Sequence, residues 1–169
     1  MNSMRLVTNK EQRDRLRRND EKWSKELMSA GWTAFPSVLL ERQKALGLDA
    51  MDVNIILHLA RHWWRADNPP HPSKKAIAAC MGVDVSTIRK RIQRLERDGL
   101  IRREARYGPA GRQRTNCYHF DGLIESAKPY AAEATRTRDQ RRKEDQERRT
   151  RKRADLTVVK AAAPARGRR

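Results

Sequence analysis

Side chains that can hydrogen-bond to nucleic acid are concentrated between Asp84 and Asp98. Arg and Gln can reach base edges, whereas Ser and Thr can reach phosphates or bases. The residues in question are Ser86, Thr87, Arg89, Lys90, Arg91, Gln93 and Arg94. An ordinary helical hairpin with a solvated basic face would have the same composition, so the interpretation depends on the elements that position these residues.

The stretch from Pro72 to Leu100 predicts a helix, a turn and a second helix. Ser73 is a typical N-cap for a short helix over Lys74–Cys80, and Gly82 supplies the left-handed residue that ends it. Asp84 is expected to cap the second helix, which Gly99 terminates. Spacings of four and three along that helix predict one buried apolar stripe, formed by Ile88, Ile92 and Leu95.

A β-hairpin with a basic tip is predicted directly after this second helix. The segments 100–106 and 114–120 are strand-like, and the Gly- and Pro-containing segment 107–113 is turn-like. Arg112 and Arg114 flank the turn, and arginines at such a tip can enter the minor groove of DNA. A solvated hairpin tip is the alternative.

In these segments the chain resembles the winged helix-turn-helix proteins of bacteria and their mobile elements. The resemblance covers roughly residues 31–130. It is carried by GWTAFPSVLL at 31–40, GLDAMDVNIILHLARHWW at 47–64, HPSKKAIAACMGVDVSTIRKRIQRLERDGLIRR at 71–103 and TNCYHFDGLI at 115–124. It implies a mainly α fold with a small β-hairpin wing, and DNA binding. It leaves the biological role open, because transcription regulators and plasmid or phage replication proteins share this module.

The remaining elements complete a four-part organisation. We expect a charged helical arm at 1–30, the DNA-binding domain at 31–122, a C-terminal helix at 123–153 and a disordered basic tail at 154–169. Thr8 and Glu11 fit a capping box for the arm, predicted as one helix ending at Gly31. The helix that begins near Leu123 has an apolar face, which suits either homodimerisation or packing on its own domain.

A scaffold helix is predicted from Ala50 to about Arg65, opened by Asp49 and Asp52. Its apolar residues recur at helical spacing and end with Trp63 or Trp64. We interpret these tryptophans as core or interdomain packing rather than as base-stacking platforms. His58 and His62 have the spacing of a metal pair, but Leu59 stands where zinc peptidases carry Glu, so we predict no metal and no cofactor.

The charge balance indicates a polyanionic partner. The 169 residues include 39 Lys and Arg against 21 Asp and Glu, a net charge of +18 and a pI near 11.0. Cys80 and Cys117 form no CxxC motif and suit a reducing cytosol. We recognise no signal peptide and no apolar run that could span a bilayer, so we expect a cytoplasmic, nucleoid-associated protein without membrane contact.

The sequence thus predicts a protein that binds double-stranded DNA and is not an enzyme, because no catalytic constellation is apparent. A sequence-specific transcription regulator is the leading hypothesis. A plasmid or phage replication-initiation or partition factor is the first alternative, and a non-specific architectural or RNA-binding protein is the second. The predicted DNA contacts are Ser73, Lys74, Lys75, Val85, Ser86, Thr87, Arg89, Lys90, Gln93, Arg94, Arg112 and Arg114.

Overall fold

The computed structural model describes residues 9–150 and confirms the winged helix-turn-helix fold. Seven helices and two short strands follow one another along these residues. The strands form one antiparallel hairpin directly after the helix-turn-helix. The elements are α1 Asn9–Trp23, α2 Lys25–Ala30, α3 Ser37–Glu41, α4 Ala50–Ala60, α5 Lys74–Met81, α6 Val85–Arg97, β1 Arg102–Glu104, β2 Cys117–His119 and α7 Asp121–Thr150.

The core lies between α4, α6, the hairpin and the start of α7. The predicted stripe of α6 is confirmed, because Ile88, Ile92 and Leu95 are at most 1% exposed. Helix α4 is buried over more than one stripe, since Ile55 and Leu59 are as inaccessible as Ile56. Tyr118 and Phe120 close the core from the hairpin side. Burial of these side chains is the main stabilising term for so small a domain.

The turn between α5 and α6 follows from local sequence chemistry. The Ser73 hydroxyl accepts a hydrogen bond from the Ala76 amide at 3.0 Å, so the predicted N-cap of α5 is present. Gly82 has φ +65°, the left-handed conformation that ends α5. Asp84 occupies the N-cap position of α6, but its side chain makes no capping hydrogen bond. Asp84 therefore marks the helix start without satisfying its amides.

Helix α4 is shorter than the sequence predicts. Asp49 and Asp52 form a reciprocal capping box, which fixes the predicted start of the helix. The helix ends at Ala60 rather than near Arg65, because the chain turns there and Arg65 and Asn68 form an isolated bridge before the prolines. Trp63 then packs against Phe120 at a ring distance of 5.3 Å, whereas Trp64 lies on the surface.

The hairpin is shorter than predicted, with three residues in each strand. Arg103 pairs with Tyr118 in the antiparallel register, flanked by the pairs 102–119 and 104–117. The turn carries an isolated bridge between Tyr107 and Gln113 and a 3₁₀ turn at Pro109–Gly111. The Tyr118 amide also donates to the Pro70 carbonyl at 2.9 Å. The hairpin is therefore fastened to the segment that leads into α5.

The N-terminal arm departs from the prediction of a single helix. Ser24 interrupts it with φ +74°, and its hydroxyl caps α2 by accepting from the Leu27 amide at 3.4 Å. Serine can offer the backbone this alternative hydrogen bond, which competes with a continuous helix. Gly31 follows α2 as predicted. The proposed capping residue Thr8 and the tail at 154–169 lie outside the described residues.

Helix α7 begins inside the folded unit. Leu123 and Ala127 are buried in the core, whereas Ile124 is 39% exposed. Of the two alternatives for this helix, these contacts support packing on its own domain for its first turns. Gly122 allows the close approach, because a Cβ there would lie 1.7 Å from the Gly99 carbonyl oxygen. Among residues 9–150, the residues up to Ala132 form one compact unit and those from Glu133 onward form another.

None of the helices between residues 9 and 150 has both the length and the apolar character that a membrane span requires.

Candidate nucleic-acid interface

Two arginines of α6 face the scaffold helix rather than solvent. Arg94 donates to the Asp52 carboxylate at 3.0 Å and to the Gly47 carbonyl at 2.6 Å. Arg91 contacts the Asp49 carboxylate and lies 3.4 Å from Asp52. These bonds join α6 to the N-terminus of α4. They leave neither guanidinium free to reach DNA without breaking an ion pair.

The acceptor of both arginines is the only charged side chain that is fully buried among residues 17–150. Asp52 is 0% exposed, and its carboxylate also receives the Asp49 amide at 3.0 Å. Burial raises the pKa of Asp49, but hydrogen bonds from the Asp52 amide and from Arg91 outweigh it, so the pKa lies below the ordinary 3.8. The Asp49 carboxylate is therefore held ionised against Arg91.

The opposite face of α6 carries the polar side chains that remain available. Ser86, Arg89, Lys90 and Gln93 are exposed, while Val85 and Thr87 are half-buried. Within residues 9–150, the side chains of Arg89, Lys90 and Gln93 have no hydrogen bond or ion pair. These six residues, all predicted from the sequence, therefore form one surface along the N-terminal two-thirds of the helix.

The N-terminus of α5 adds positive charge beside this surface. Burial lowers the pKa of Lys74, and the neighbouring charges of Arg103 and Arg89 lower it further, against an opposing effect of Glu96. Lys74 therefore stands close to cations from both α6 and β1. Lys75 is exposed, and Ser73 is half-buried with its hydroxyl occupied by the helix cap. The repulsion between these cations would be relieved by a bound phosphate.

The wing is held against α6 by an ion pair. Arg103 of β1 donates from Nε to the Glu96 carboxylate at 2.8 Å, with a second contact from the same guanidinium. The hydrogen bond from Arg103 lowers the pKa of Glu96 despite partial burial. On the hairpin, Arg102 lies 3.2 Å from Glu104. Arg103 therefore holds the wing against α6, whereas the pair of Arg102 with Glu104 is exposed at the surface.

Arg112 and Arg114 remain available at the tip of the wing. Both are exposed, and neither side chain has a hydrogen bond or ion pair within the part of the chain that is described. The backbone of Arg114 is fixed by a 2.7 Å hydrogen bond from its amide to the Arg106 carbonyl. Their positions fit the prediction of two cations flanking the turn. The structure therefore presents the wing cations on an anchored loop.

One predicted DNA contact is engaged within the protein. The guanidinium of Arg94 donates to the Asp52 carboxylate and to the Gly47 carbonyl, so a contact between Arg94 and DNA would compete with these bonds. A signal was present in the sequence: Asp49 and Asp52 are three residues apart, as are Arg91 and Arg94. Because the two carboxylates and the two guanidinium groups have the same spacing along their helices, they can pair with one another across the two helices, and composition alone does not reveal such pairing.

Comparison with known proteins supports this assignment of the fold. Residues 46–101 match a family model described as a helix-turn-helix domain, which confirms the predicted resemblance and supports DNA binding. No curated protein matches the chain.

The solved structures that are similar to this chain include the following two. The N-terminal domain of the DnaD protein from Geobacillus kaustophilus HTA426 is 20% identical, with a TM-score of 0.48 over 68% of this chain and 93% of that chain. A possible transcriptional regulator from Methanosarcina mazei Go1 is 17% identical, with a TM-score of 0.40 over 64% and 85% of the two chains.

Proposed function

We propose that this chain is a transcription regulator that binds double-stranded DNA sequence-specifically, with α6 in the major groove. The observation that carries the proposal is that different side chains of α6 hold the helix in place and remain exposed for DNA. Arg91 and Arg94 fix the helix to α4, and an apolar stripe fixes it to the core. The exposed Arg89, Lys90 and Gln93 are thereby left on a rigid support, and rigid presentation favours base discrimination over loose phosphate binding.

Each region of the surface has a distinct role in this proposal. Val85, Ser86, Thr87, Arg89 and Lys90 face the bases or their flanking phosphates, because the N-terminal half of such a helix enters the groove deepest. Gln93 reaches a phosphate or an outer base. At the start of α5, Ser73, Lys74 and Lys75 contact the DNA backbone, and Arg112 and Arg114 enter the adjacent minor groove. Arg94 is omitted, since contact with DNA would leave Asp52 buried with one fewer cation.

A homodimer would present two copies of α6 to a two-fold related site. Leu123 and Ala127 are already buried within one chain, so a contact through this helix would use the exposed Ile124. A binding role without catalysis, exercised at the nucleoid in the cytoplasm, is part of the same proposal. The positive charge that lies outside the DNA-binding domain would strengthen binding to phosphates. This contribution would depend on salt and would not depend on the DNA sequence.

Selection of bound fragments from a random duplex library tests the proposal. The selection is run at about physiological salt, where non-specific phosphate binding is suppressed. We expect a defined motif, and an inverted repeat would establish the dimer. Sites at promoters support a regulator, whereas iterated sites at an origin support the replication or partition alternative. Absence of any enriched motif, with binding intact at low salt, would refute sequence-specific recognition.

Truncation after Ala134 separates the domain from its basic extension. We expect weaker binding and a shallower salt dependence, with the sequence preference of the full chain retained. The variant Lys90→Ala in the full chain is the matched control, because it removes a cation from the proposed interface and leaves the extension intact. Complete loss of binding on truncation would instead favour the architectural or RNA-binding alternative.

A further inference from the structure

Three tryptophans of the N-terminal half lie on the surface. Trp23, Trp32 and Trp64 are 58%, 44% and 68% exposed. Trp63 is 36% exposed and packs against Phe120, whereas Trp64, for which core or interdomain packing was also predicted, contacts Trp32 on the surface. Exposed indole rings are costly in water, and several close together mark a binding surface. We call Trp23, Trp32 and Trp64 the tryptophan track.

The track lines two adjoining cavities. One, of about 350 Å³, lies between Trp32 and Trp64 and is also lined by Arg61 and His62. The other, of about 380 Å³, lies between Trp23 and Trp32. Residues 31–33 border both cavities, so they are continuous along the surface. Each cavity has room for one planar ring placed against an indole.

The ring arrangement leaves stacking surface free. The Trp32 and Trp64 rings meet edge to face, with centroids 6.5 Å apart and an interplanar angle of 83°. An edge-to-face contact covers a face of only one of the two rings. With two-thirds of its surface exposed, Trp64 has a face available to a further aromatic ring.

Positive charge accompanies the rings. Neither cavity is lined by an acidic residue. Arg61 has no carboxylate partner among residues 9–150, and its charge adds to burial in lowering the pKa of His62, with smaller effects of His71 and His58. At the other end, the Lys22 ammonium lies 5.6 Å from the centre of the Trp23 ring. Cations without a counter-charge beside open indole faces suit a ligand that is both aromatic and anionic.

We propose that the tryptophan track binds single-stranded nucleic acid, with bases stacked on the indoles and phosphates held by Arg61 and Lys22. A single strand offers flat rings and negative charges at regular intervals, whereas the base faces of a duplex are covered by their neighbours. An acidic protein partner would match the cations but would not need three exposed indoles along continuous cavities. The track shares no residue with the proposed duplex surface of α6.

A chain with both surfaces could hold a duplex and an unpaired strand together. That combination suits a protein that acts where DNA is opened. The inference does not depend on sequence-specific recognition by α6. The two proposals can therefore fail separately.

Fluorescence anisotropy of a labelled oligothymidylate tests the proposal. The full chain is used at about 0.2 M salt, so that non-specific phosphate binding is reduced equally in all variants. We expect Trp64→Ala to weaken binding by about 5- to 150-fold, the effect of losing one stacked base. Trp64→Phe should restore most of the affinity, because it returns a flat ring. Intrinsic tryptophan fluorescence should be quenched on binding by the wild-type chain.

Three controls separate stacking from charge. The variant Leu40→Ala removes another exposed apolar side chain outside the track and should leave binding unchanged. A strand of the same length with abasic sites keeps its phosphates but has no bases to stack. It should therefore bind the wild-type chain and the Trp64→Ala variant with the same affinity. Duplex binding should be unaffected by Trp64→Ala but weakened by Arg89→Ala.

Equal affinity of wild type and Trp64→Ala for the oligothymidylate, with both variants folded by circular dichroism, would overturn the proposal. Loss of self-association in sedimentation by Trp64→Ala, without a change in oligonucleotide affinity, would also overturn it and would assign the track to a protein interface.

Discussion

The buried carboxylate of Asp52 provides a quantitative test of how α6 is held. The variant Asp52→Ala removes the acceptor shared by Arg91 and Arg94, together with half of the capping box of α4. Asp49→Ala is the matched control, because Asp49 takes part in the same box and contacts the same arginines but its side chain is 45% exposed. The two variants therefore differ chiefly in the burial of the charge removed.

The magnitude follows from the exposure of the partners. Breaking a fully buried ion pair costs about 3–5 kcal/mol when the remaining charge stays buried. The side chains of Arg91 and Arg94 are 31% and 34% exposed, so water can solvate both guanidinium groups once Asp52 is gone. We therefore expect a loss of about 2–3 kcal/mol for Asp52→Ala. For Asp49→Ala we expect about 1 kcal/mol, the ordinary effect of losing an N-cap.

Urea unfolding followed by far-ultraviolet circular dichroism measures both losses. In a domain of this size, the larger loss corresponds to a fall of about 10–20 °C in the melting temperature. Duplex binding provides a second measurement, because the released arginines become free to contact phosphates. We expect Asp52→Ala to bind random duplex at least as tightly as wild type while its preference for the cognate site decreases.

A loss within about 0.5 kcal/mol for Asp52→Ala would refute this reasoning, since that is the range of an unimportant surface substitution. Equal losses in the two variants would also contradict it, because they would show that burial of Asp52 does not strengthen its pairing.

Four further predictions concern the interface and its support. Arg89→Ala should weaken cognate binding by about 1–3 kcal/mol and random duplex much less, measured by competition; equal losses would make Arg89 a phosphate contact. Ile92→Asp should unfold the domain, because it puts an unpaired charge at a fully buried site; a cooperative wild-type-like melt would contradict the packing of α6. Arg103→Ala should release the wing from Glu96, cost about 1–2 kcal/mol and accelerate amide exchange in β1 and β2; unchanged exchange would argue against the anchoring role. Folding lowers the pKa values of Asp49 and Glu96 from the ordinary 3.8 and 4.5. Their contribution to the free energy of unfolding should therefore be complete above these ordinary values and should be lost as the pH falls through the lowered pKa values of the folded protein. Unfolding measured at a series of acidic pH values checks this.

The helix-turn-helix could be predicted from sequence because its signals are local. The Ser73 cap, the left-handed Gly82 and the spacing of Ile88, Ile92 and Leu95 depend on residues only a few positions apart. Periodicity is strongest in an amphipathic helix such as α6, which has one apolar stripe and a polar remainder. The same locality explains the correct start of α4 at its capping box.

The features that sequence analysis missed depend on contacts between distant segments. Arg91 and Arg94 look identical to Arg89 and Lys90 in a helix pattern, and only the position of Asp52 separates structural cations from available ones. The end of α4 was misplaced because Trp63 continues the apolar spacing while packing on Phe120 from outside the helix. The exposure of Trp64 was likewise invisible, because a strongly apolar residue is expected to be buried.

The close approach at Gly122 has a genetic consequence. Its missing Cβ lets the start of α7 rest against the Gly99 carbonyl, and the Leu123 amide donates to the Leu100 carbonyl at 2.8 Å. Any side chain at this position must displace the junction between the end of α6 and the wing, although it touches no proposed DNA contact. Substitutions such as Gly122→Ala should therefore yield temperature-sensitive alleles, active at low temperature and lost on warming as the junction opens.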